Sequence, residues 1–261
     1  MTESVQLIKD GHITKLLLNR PEAYNAIDFD LAQRLQEHLL YLAMDNTSRA
    51  VVISGNGKAF CAGGDLKWLL NFPRGTSAAI HELAARLHQS VLEIRRMKKP
   101  VIAAINGIAA GAGFSLALAC DFRIMARSAF LQQAYTSAGL CLDGGGSFTL
   151  PRIVGLAKAL EIVAFDQLIP AERALAWGLV TQVVDDGLVL EEASKVARQL
   201  AQGSMNSLGW SKKLLTDSFH TSFEAHMERE REGIRSCAAH PDGQEGIRAF
   251  VEKRKPVFNP E

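Results

Sequence analysis

The chain has 261 residues, and its 29 lysines and arginines nearly balance its 28 aspartates and glutamates. A net charge this close to zero argues against nucleic acid or an anionic membrane as the main partner. No apolar run is long enough to span a bilayer, the N-terminal segment MTESVQLIKD is too polar for a secretory signal, and the four cysteines match no metal-binding pattern, so we predict a cytoplasmic protein without a metal site.

The first half of the chain alternates between strand and helix patterns. Two short apolar segments flank Asp10-Gly11, a dipeptide typical of hairpin turns. Asp28 is a candidate N-cap for a helix that repeats leucine along one face, and Pro100 ends a second, longer helix. The predicted segments are strands 5–9, 13–18, 50–54 and 101–105, a helix that begins after Asp28, and a helix that begins at Thr76 or Ser77. This alternation predicts an α/β core.

In the second half the strands become shorter and the chain then becomes helical. The predicted segments are strands 122–126, 129–132 and 180–184 and helices 114–119, 147–154 and 156–164. From Leu188 onward the pattern is helical only, with breaks near Gly203, Thr221 and Pro241. We therefore predict two regions, a core over residues 1–190 and a C-terminal helical region over residues 191–261.

The chain is organised around the stretch from Val101 to Asp121, VIAAINGIAAGAGFSLALACD. A buried strand leads into glycines around Gly111 and then into a helix of small residues. Glycines at such a junction let the backbone approach a ligand, and the N-terminus of the helix adds partial positive charge. The stretch therefore suits a developing anion, although close packing of small residues explains the same pattern equally well.

A second loop, KAFCAGGDL at residues 58–66, has the same character. It also follows a strand and also exposes backbone beside small residues. Two such loops can converge on one oxygen, and each N–H donor aimed at an enolate or a tetrahedral oxyanion stabilises it by roughly 3 kcal/mol. The loop does not fit a phosphate-binding P-loop, because Gly57-Lys58 is followed by Ala59 and not by serine or threonine.

These loops and other segments, spread over nearly the whole chain, resemble the crotonase family, the enoyl-CoA hydratase/isomerase superfamily. The matching segments are NRPEAYNAI, FCAGGDL, KPVIAAINGIAAGAG, LACDFRI, GLCLDGGGSFTLPRIVG, ALAWGLVTQVV and EGIRAFVEKRKPVF. The resemblance implies a crotonase-like β-β-α spiral core, a C-terminal all-helical trimerisation region, and a homotrimer or a dimer of trimers. It also implies an acyl-CoA substrate, with coenzyme A as part of the substrate and no prosthetic group.

The resemblance also implies roles for individual residues. The amide N–H groups of Ala62 and Ala112 would form an oxyanion hole for the thioester. The implied substrate-binding residues are Asn25, Ala26, Ala62, Gly64, Asp65, Leu66, Gly111, Ala112, Phe250 and Lys253, the last two often from a neighbouring subunit in this family. Trp68 and Phe72 follow the first loop, where lining an acyl pocket and filling the core are about equally expected.

The two glutamates with which hydratases of this family activate water are absent. The resemblance places Ser115 and Tyr135 at their positions, and neither side chain is a good base near neutral pH. Two carboxylates suit hydration because one takes a proton while the other gives one. Hydration by the two-glutamate route is therefore not expected, and Tyr135 stays a candidate catalytic residue through hydrogen bonding.

Asp143 lies where several members of the family keep a catalytic acid. The matching aspartate transfers a proton in dienoyl-CoA isomerase and in the ring-epoxide isomerases of phenylacetate breakdown, and it is the nucleophile in chlorobenzoyl-CoA dehalogenase. His88 matches a histidine that activates water in that dehalogenase. The alternative is that Asp143 only caps the helix that follows it, since aspartate is a favoured N-cap.

Three functions are therefore predicted. The first is an acyl-CoA isomerase, in which Asp143 shuttles a proton and the oxyanion hole holds the enolate. The segment LDGGGSFTLPRIVGLAKAL is most similar to phenylacetate-type isomerases, which favours an unsaturated, cyclic or aromatic acyl group. The second is a hydrolase in which Asp143 is the nucleophile and His88 activates water. The third is a non-catalytic acyl-CoA-binding protein in which Asp143 is only a helix cap.

Overall fold

The computed structural model describes residues 3–258. Within that range the strands are β1 (Val5–Asp10), β2 (Ile13–Leu18), β3 (Ala50–Gly55), β4 (Ala59–Cys61), β5 (Val101–Ile105), β6 (Ile108–Ala110), β7 (Phe122–Ala126), β8 (Phe130–Gln132), β9 (Ile169–Pro170) and β10 (Gln182–Val184). One sheet has six strands in the order β1-β2-β3-β5-β7-β10, and the other has four in the order β4-β6-β8-β9.

Helices surround the two sheets and form the end of the chain. They are α1 (Phe29–Met44), α2 (Leu66–Leu70), α3 (Thr76–Arg96), α4 (Ala112–Ala119), α5 (Gly146–Val154), α6 (Leu156–Phe165), α7 (Ala171–Ala176), α8 (Val189–Leu200), α9 (Met205–Asp217), α10 (Phe223–Ala239) and α11 (Pro241–Val251). The predicted α/β class is confirmed. No helix within residues 3–258 combines the length and the apolarity needed to cross a membrane.

The larger sheet follows the apolar patterns of the sequence. Its strands from β2 to β10 pair in parallel, and β5 is buried along its whole length. Burial on both faces explains why such strands show continuous apolar runs and no alternation. The hairpin of β1 and β2 forms around Asp10-Gly11, as predicted, with Asp10 paired to Ile13.

The smaller sheet was not expected from the sequence, apart from a strand near β8. Its strands β4 and β6 have three residues each and lie inside the two glycine-containing loops. Two glycines permit the close packing there: a Cβ atom on Gly107 would overlap the Lys58 carbonyl, and one on Gly113 would overlap the Cys61 carbonyl. The start of α4 therefore lies directly against β4, which places both loops at one edge of the core.

The long helices begin and end close to the predicted positions. Asp28 Oδ1 accepts a hydrogen bond from the Leu31 N–H at 2.9 Å, and α1 packs its leucines against α3. The buried Lys99 ammonium donates to the carbonyls of Leu42 and Asp45 at 2.6 and 2.7 Å, which satisfies the C-terminal end of α1. These contacts fix α3, which carries His88, against the core.

From α8 to α11 the chain is helical, as predicted. The first of these helices packs on the larger sheet, and the Arg49 Nε–H donates to the Ala201 carbonyl at 2.7 Å just beyond its end. The later helices pack on one another, α10 on α9 and α11 on α10. Helix α8 spans residues 189–200, so it crosses the predicted boundary between the core (1–190) and the helical region (191–261), and it packs on the sheet of the core. The division into these two regions stays a prediction.

Candidate active site

The two glycine-containing loops are in contact. One contains β4 and continues to Leu66, and the other contains β6 and leads into α4. Gly63 and Gly111 have φ angles of +104° and +52°, in the range that favours glycine. A Cβ atom on Gly63 would lie 3.1 Å from the Ala110 carbonyl oxygen and 3.6 Å from the Ala112 amide nitrogen. The fold therefore brings the two loops together, as the sequence predicts.

The Ala62 N–H is already bonded inside the protein. It donates to the Tyr24 carbonyl at 3.0 Å. Tyr24 and Asn25 have φ angles of +52° and +56°, and this left-handed turn brings the carbonyl to the loop. The prediction that Ala62 supplies an oxyanion donor is therefore wrong.

Gly64, two residues further on, presents a free donor. It forms a parallel bridge with Ile27. The Ile27 N–H donates to the Gly63 carbonyl at 2.7 Å, and the Asp65 N–H donates to the Ile27 carbonyl at 2.9 Å. In such a bridge the neighbours of Gly64 make both hydrogen bonds, so its own N–H points away from Ile27. Within residues 3–258 this N–H has no acceptor.

Ala112, the second predicted oxyanion donor, also has no acceptor for its N–H among residues 3–258, and its catalytic role stays a prediction. It is the first residue of α4, and the first N–H groups of a helix have no partner inside it. The partial positive charge of the helix N-terminus lies at the same place. Gly64 and Ala112 therefore offer two N–H groups on loops that touch, an arrangement that suits a carbonyl oxygen gaining negative charge.

Asp143 and His88 form a pair, and Ser115 of α4 binds the Asp143 carbonyl. His88 Nε2 lies 2.7 Å from Asp143 Oδ1, and the side chains are 48% and 34% exposed. In the tautomer that carries the ring proton on Nε2, His88 donates this hydrogen bond to the Asp143 carboxylate. The structure therefore brings together two residues that are 55 positions apart in the sequence, and within residues 3–258 the second carboxylate oxygen of Asp143 makes no hydrogen bond.

The interpretation of Asp143 as a helix cap is wrong. Helix α5 begins at Gly146, its N-cap is Gly145, and no side chain caps it. Gly144 and Gly145 have φ angles of +60° and +79°, so the chain turns twice more between Asp143 and the helix. The carboxylate is therefore not engaged by the helix backbone.

Ser115 and Tyr135 lie beneath the loop that carries Asp143. Ser115 is fully buried, and its hydroxyl donates to the Asp143 carbonyl at 2.6 Å and lies 3.3 Å from the Tyr135 hydroxyl. Burial raises the pKa of Tyr135 above its ordinary value. Neither residue is a base at neutral pH, and Ser115 instead holds the backbone of Asp143.

The side chain of Asn25 is not available to a substrate. It is fully buried; its Oδ1 accepts from the Arg20 N–H at 2.9 Å, and its Nδ2 donates to the carbonyls of Asn56 and Ala59 at 3.0 and 2.8 Å. The prediction of Asn25 as a substrate contact is wrong for its side chain, because all of its polar atoms are bonded within the protein.

Other predicted substrate-binding residues border an open region. A cavity of about 430 Å³ is lined by Asp65, Trp68 and Phe72, among others. Trp68 packs against Phe72 with ring centroids 5.1 Å apart, and Leu66 is exposed. Trp68 therefore both lines the cavity and packs against a neighbouring ring, so the two predicted roles, lining an acyl pocket and filling the core, remain open.

The remaining predicted contacts lie on other parts of the chain. The Ala26 carbonyl accepts from Arg20, and Gly111 caps α4 through its backbone. Phe250, on α11, and Lys253, just after it, are exposed. Their predicted contribution concerns a neighbouring subunit and stays a prediction.

Sequence reasoning missed two features of this site. It did not identify Gly64 as the free donor, because the bridge to Ile27 joins residues 37 positions apart. It also did not assign Ser115 to the support of Asp143. In the described part of the chain, no three His, Cys, Asp or Glu side chains are grouped so that they could hold a metal ion.

Comparisons with known proteins show the family and the fold of this chain. Residues 9–261 match the family model described as Enoyl-CoA hydratase/isomerase. The 1,2-epoxyphenylacetyl-CoA isomerase of Escherichia coli (strain K12) is 35% identical over 96% of both chains, and the crotonyl-CoA hydratase of Syntrophomonas wolfei is 34% identical over 98% of both. The crystal structure of an enoyl-CoA hydratase from Polaromonas sp. JS666 has a TM-score of 0.92 at 36% identity and covers 98% of this chain and 99% of its own.

Proposed function

The chain belongs to the enoyl-CoA hydratase/isomerase family, and from this we propose that it isomerises an unsaturated, cyclic or aromatic acyl-CoA thioester. The observation that carries the proposal is the Asp143 carboxylate. It caps no helix, lies 2.7 Å from His88 Nε2, and belongs to a loop whose Asp143 carbonyl is bound by Ser115 of α4, the helix that begins at Ala112. The crotonase resemblance and the crotonase-like fold are both confirmed.

The thioester carbonyl would be bound by the N–H groups of Gly64 and Ala112. When a proton leaves the carbon next to the thioester, or one conjugated with it, negative charge moves onto the carbonyl oxygen. Donors fixed before the reaction stabilise this enolate by several kcal/mol, roughly 3 for each donor. Both donors belong to backbone, so their direction is set by the fold and not by side-chain rotamers.

Asp143 would move the proton. Its free oxygen removes a proton from one carbon of the acyl group, and the protonated carboxyl returns that proton to another carbon. His88 donates to the other oxygen and so fixes the orientation of the carboxylate. The atoms balance without a co-reactant, and the mechanism needs no prosthetic group; coenzyme A is the thiol part of the substrate.

A hydrolytic function is the second candidate, and the contact between His88 and Asp143 is what favours it. Asp143 would attack a carbon of the acyl group and release a leaving group. Water activated by His88 would then cleave the ester formed on Asp143. We favour isomerisation because the 1,2-epoxyphenylacetyl-CoA isomerase of Escherichia coli is 35% identical over 96% of this chain.

Product mass on a panel of acyl-CoA thioesters tests the proposed function. We expect at least one unsaturated or cyclic thioester to give a product of unchanged mass. Crotonyl-CoA should gain water about 10²-fold or more slowly than with a two-glutamate hydratase, because each missing acid–base group typically contributes about 10²- to 10⁴-fold. Loss of a substituent would support the hydrolytic candidate, and no conversion of any thioester would support a non-catalytic binding protein.

We also propose that the protein assembles as a trimer or a dimer of trimers. The C-terminal helices carry large apolar side chains that are mostly exposed in the single chain: Phe223, Ile234, Ile247, Phe250 and Val251. Exposed apolar surface of this kind mainly occurs where another protein surface covers it. Sedimentation equilibrium at micromolar concentration is expected to give three or six times the mass of the chain, and a monomer would contradict the proposal.

A further inference from the structure

Arg20 joins two helix starts that border the candidate active site. Its Nη2 lies 3.0 Å from Asp65 Oδ2 and 3.2 Å from Asp28 Oδ2, and its Nη1 donates to the Ala26 carbonyl at 2.5 Å. The three charged side chains are 20%, 15% and 19% exposed, so solvent screens their attraction less than at the surface. One guanidinium therefore connects two carboxylates and one carbonyl.

Each of the two carboxylates also holds a helix. Asp28 Oδ1 accepts from the Leu31 N–H at 2.9 Å and caps α1, and Asp65 Oδ1 accepts from the Trp68 N–H at 3.1 Å and caps α2. Each carboxylate therefore uses Oδ1 for its helix and Oδ2 for the Arg20 guanidinium. A change at Arg20 would affect the starts of both helices.

Gly64 belongs to the short pairing of two segments that leads into Asp28 and Asp65. Gly64 comes directly before Asp65, and its bridge partner Ile27 comes directly before Asp28. Because Arg20 contacts the residue after each member of the bridge, it closes the end of the paired segments. The direction of the Gly64 peptide depends on how these two segments lie against each other.

We propose that Arg20 is a positioning residue that aims the Gly64 N–H at the thioester oxygen. The inference rests on the proposed function. Arginine suits the task because its planar guanidinium has several donors in fixed directions, whereas lysine presents a single flexible ammonium.

The state of Asp65 supports the inference. Burial alone would raise the pKa of Asp65, but the hydrogen bonds from Trp68 and Arg20 lower it below its ordinary value. The carboxylate therefore stays ionised at neutral pH, and its contact with Arg20 persists there.

The test measures how strongly the protein polarises a bound thioester. The probe is cinnamoyl-CoA, whose absorption moves to longer wavelength when donors pull electrons onto its carbonyl oxygen. The parent protein is expected to cause such a shift. Arg20→Gln should lose most of the shift and lower kcat by about 10- to 100-fold, with KM and the Kd of free coenzyme A within about threefold, since a misplaced catalytic donor costs rate more than binding.

Two further variants keep the test decisive. Arg20→Lys should retain part of the shift. Asp65→Asn keeps a side-chain oxygen for the Trp68 N–H but weakens the contact with Arg20, and it replaces Arg20→Gln if that variant does not fold. Arg127→Gln is the matched control, because it removes an exposed Arg–Asp pair, with Asp185 at 3.0 Å, and should leave the shift unchanged.

The outcomes separate the two proposals. No shift with the parent protein would contradict the oxyanion hole, and with it this inference. A shift in the parent that Arg20→Gln or Asp65→Asn keeps in full would overturn the role of Arg20 alone. A large loss of affinity for free coenzyme A in Arg20→Gln would also overturn it, because Arg20 would then be a direct contact of the nucleotide.

Discussion

Replacing Ala112 with proline is expected to lower kcat by about 10²- to 10³-fold while the protein remains folded. The substitution removes the N–H that α4 directs at the thioester oxygen, and the proline ring occupies the same space. The fold should tolerate it because Ala112 is the first residue of α4, where proline is favoured. The preceding residue, Gly111, has a φ of +52° and a ψ of −122° and so is not in the α-helical region that proline disfavours before it.

The chain offers a matched control for this variant. Leu156 is the first residue of α6, follows a glycine cap in the same way, and is 67% exposed. Leu156→Pro should therefore keep both fold and activity. Circular dichroism and initial rates on the substrate found in the thioester panel measure the two effects. Undiminished turnover by a folded Ala112→Pro protein would show that Ala112 is not an oxyanion donor.

The larger elements of the fold are predictable because their own residues specify them. The leucine repeat of α1 and the long apolar face of α3 have the periodicity of a helix, and the apolar run of β5 is short and bounded by Pro100 and Asn106-Gly107, as in a buried strand. The short strands differ. β4 and β6 have three residues each, and they exist because their neighbours supply hydrogen bonds across a sheet. A three-residue pattern beside glycines is indistinguishable from a turn in the sequence.

The site was predicted at the level of loops and less well at the level of peptide groups. The two loops, Asp143 and His88 follow from the sequence pattern and the family resemblance; the structure places the loops in contact and pairs Asp143 with His88. Which N–H is free depends on partners far away in the sequence. The Tyr24 carbonyl accepts the hydrogen bond from the Ala62 N–H, and the bridge to Ile27 leaves the Gly64 N–H free. Neither pairing has a signal in the sequence.

The cap interpretation of Asp143 failed for a related reason. Aspartate shortly before a helical pattern is typical of an N-cap, but the position of the cap depends on where the helix begins. Two successive glycines with positive φ delay that start to Gly146. The sequence shows these glycines without showing that both adopt the left-handed conformation, which any single glycine adopts or avoids at little cost.

Asp143→Asn is expected to lower the rate of isomerisation by about 10²-fold or more, because it removes the group that takes and returns the proton. Its melting temperature should barely change, since the carboxylate caps no helix and its contact with His88 is partly exposed. Asp143→Ala should behave in the same way and lack the stability loss of about 1 kcal/mol that removal of an N-cap causes. Asp185→Asn, which also changes an exposed aspartate in an ion pair, is the control.

His88→Gln separates the two enzymatic candidates for Asp143. Glutamine still donates a hydrogen bond to the carboxylate, so isomerisation should fall by no more than about tenfold, the effect of a less well placed hydrogen bond. In the hydrolytic candidate the same variant loses the group that activates water, and the ester on Asp143 should accumulate and appear as added mass on the protein.

Full turnover by Asp143→Asn, with a substrate that the parent protein isomerises, would show that the proton is carried by another group.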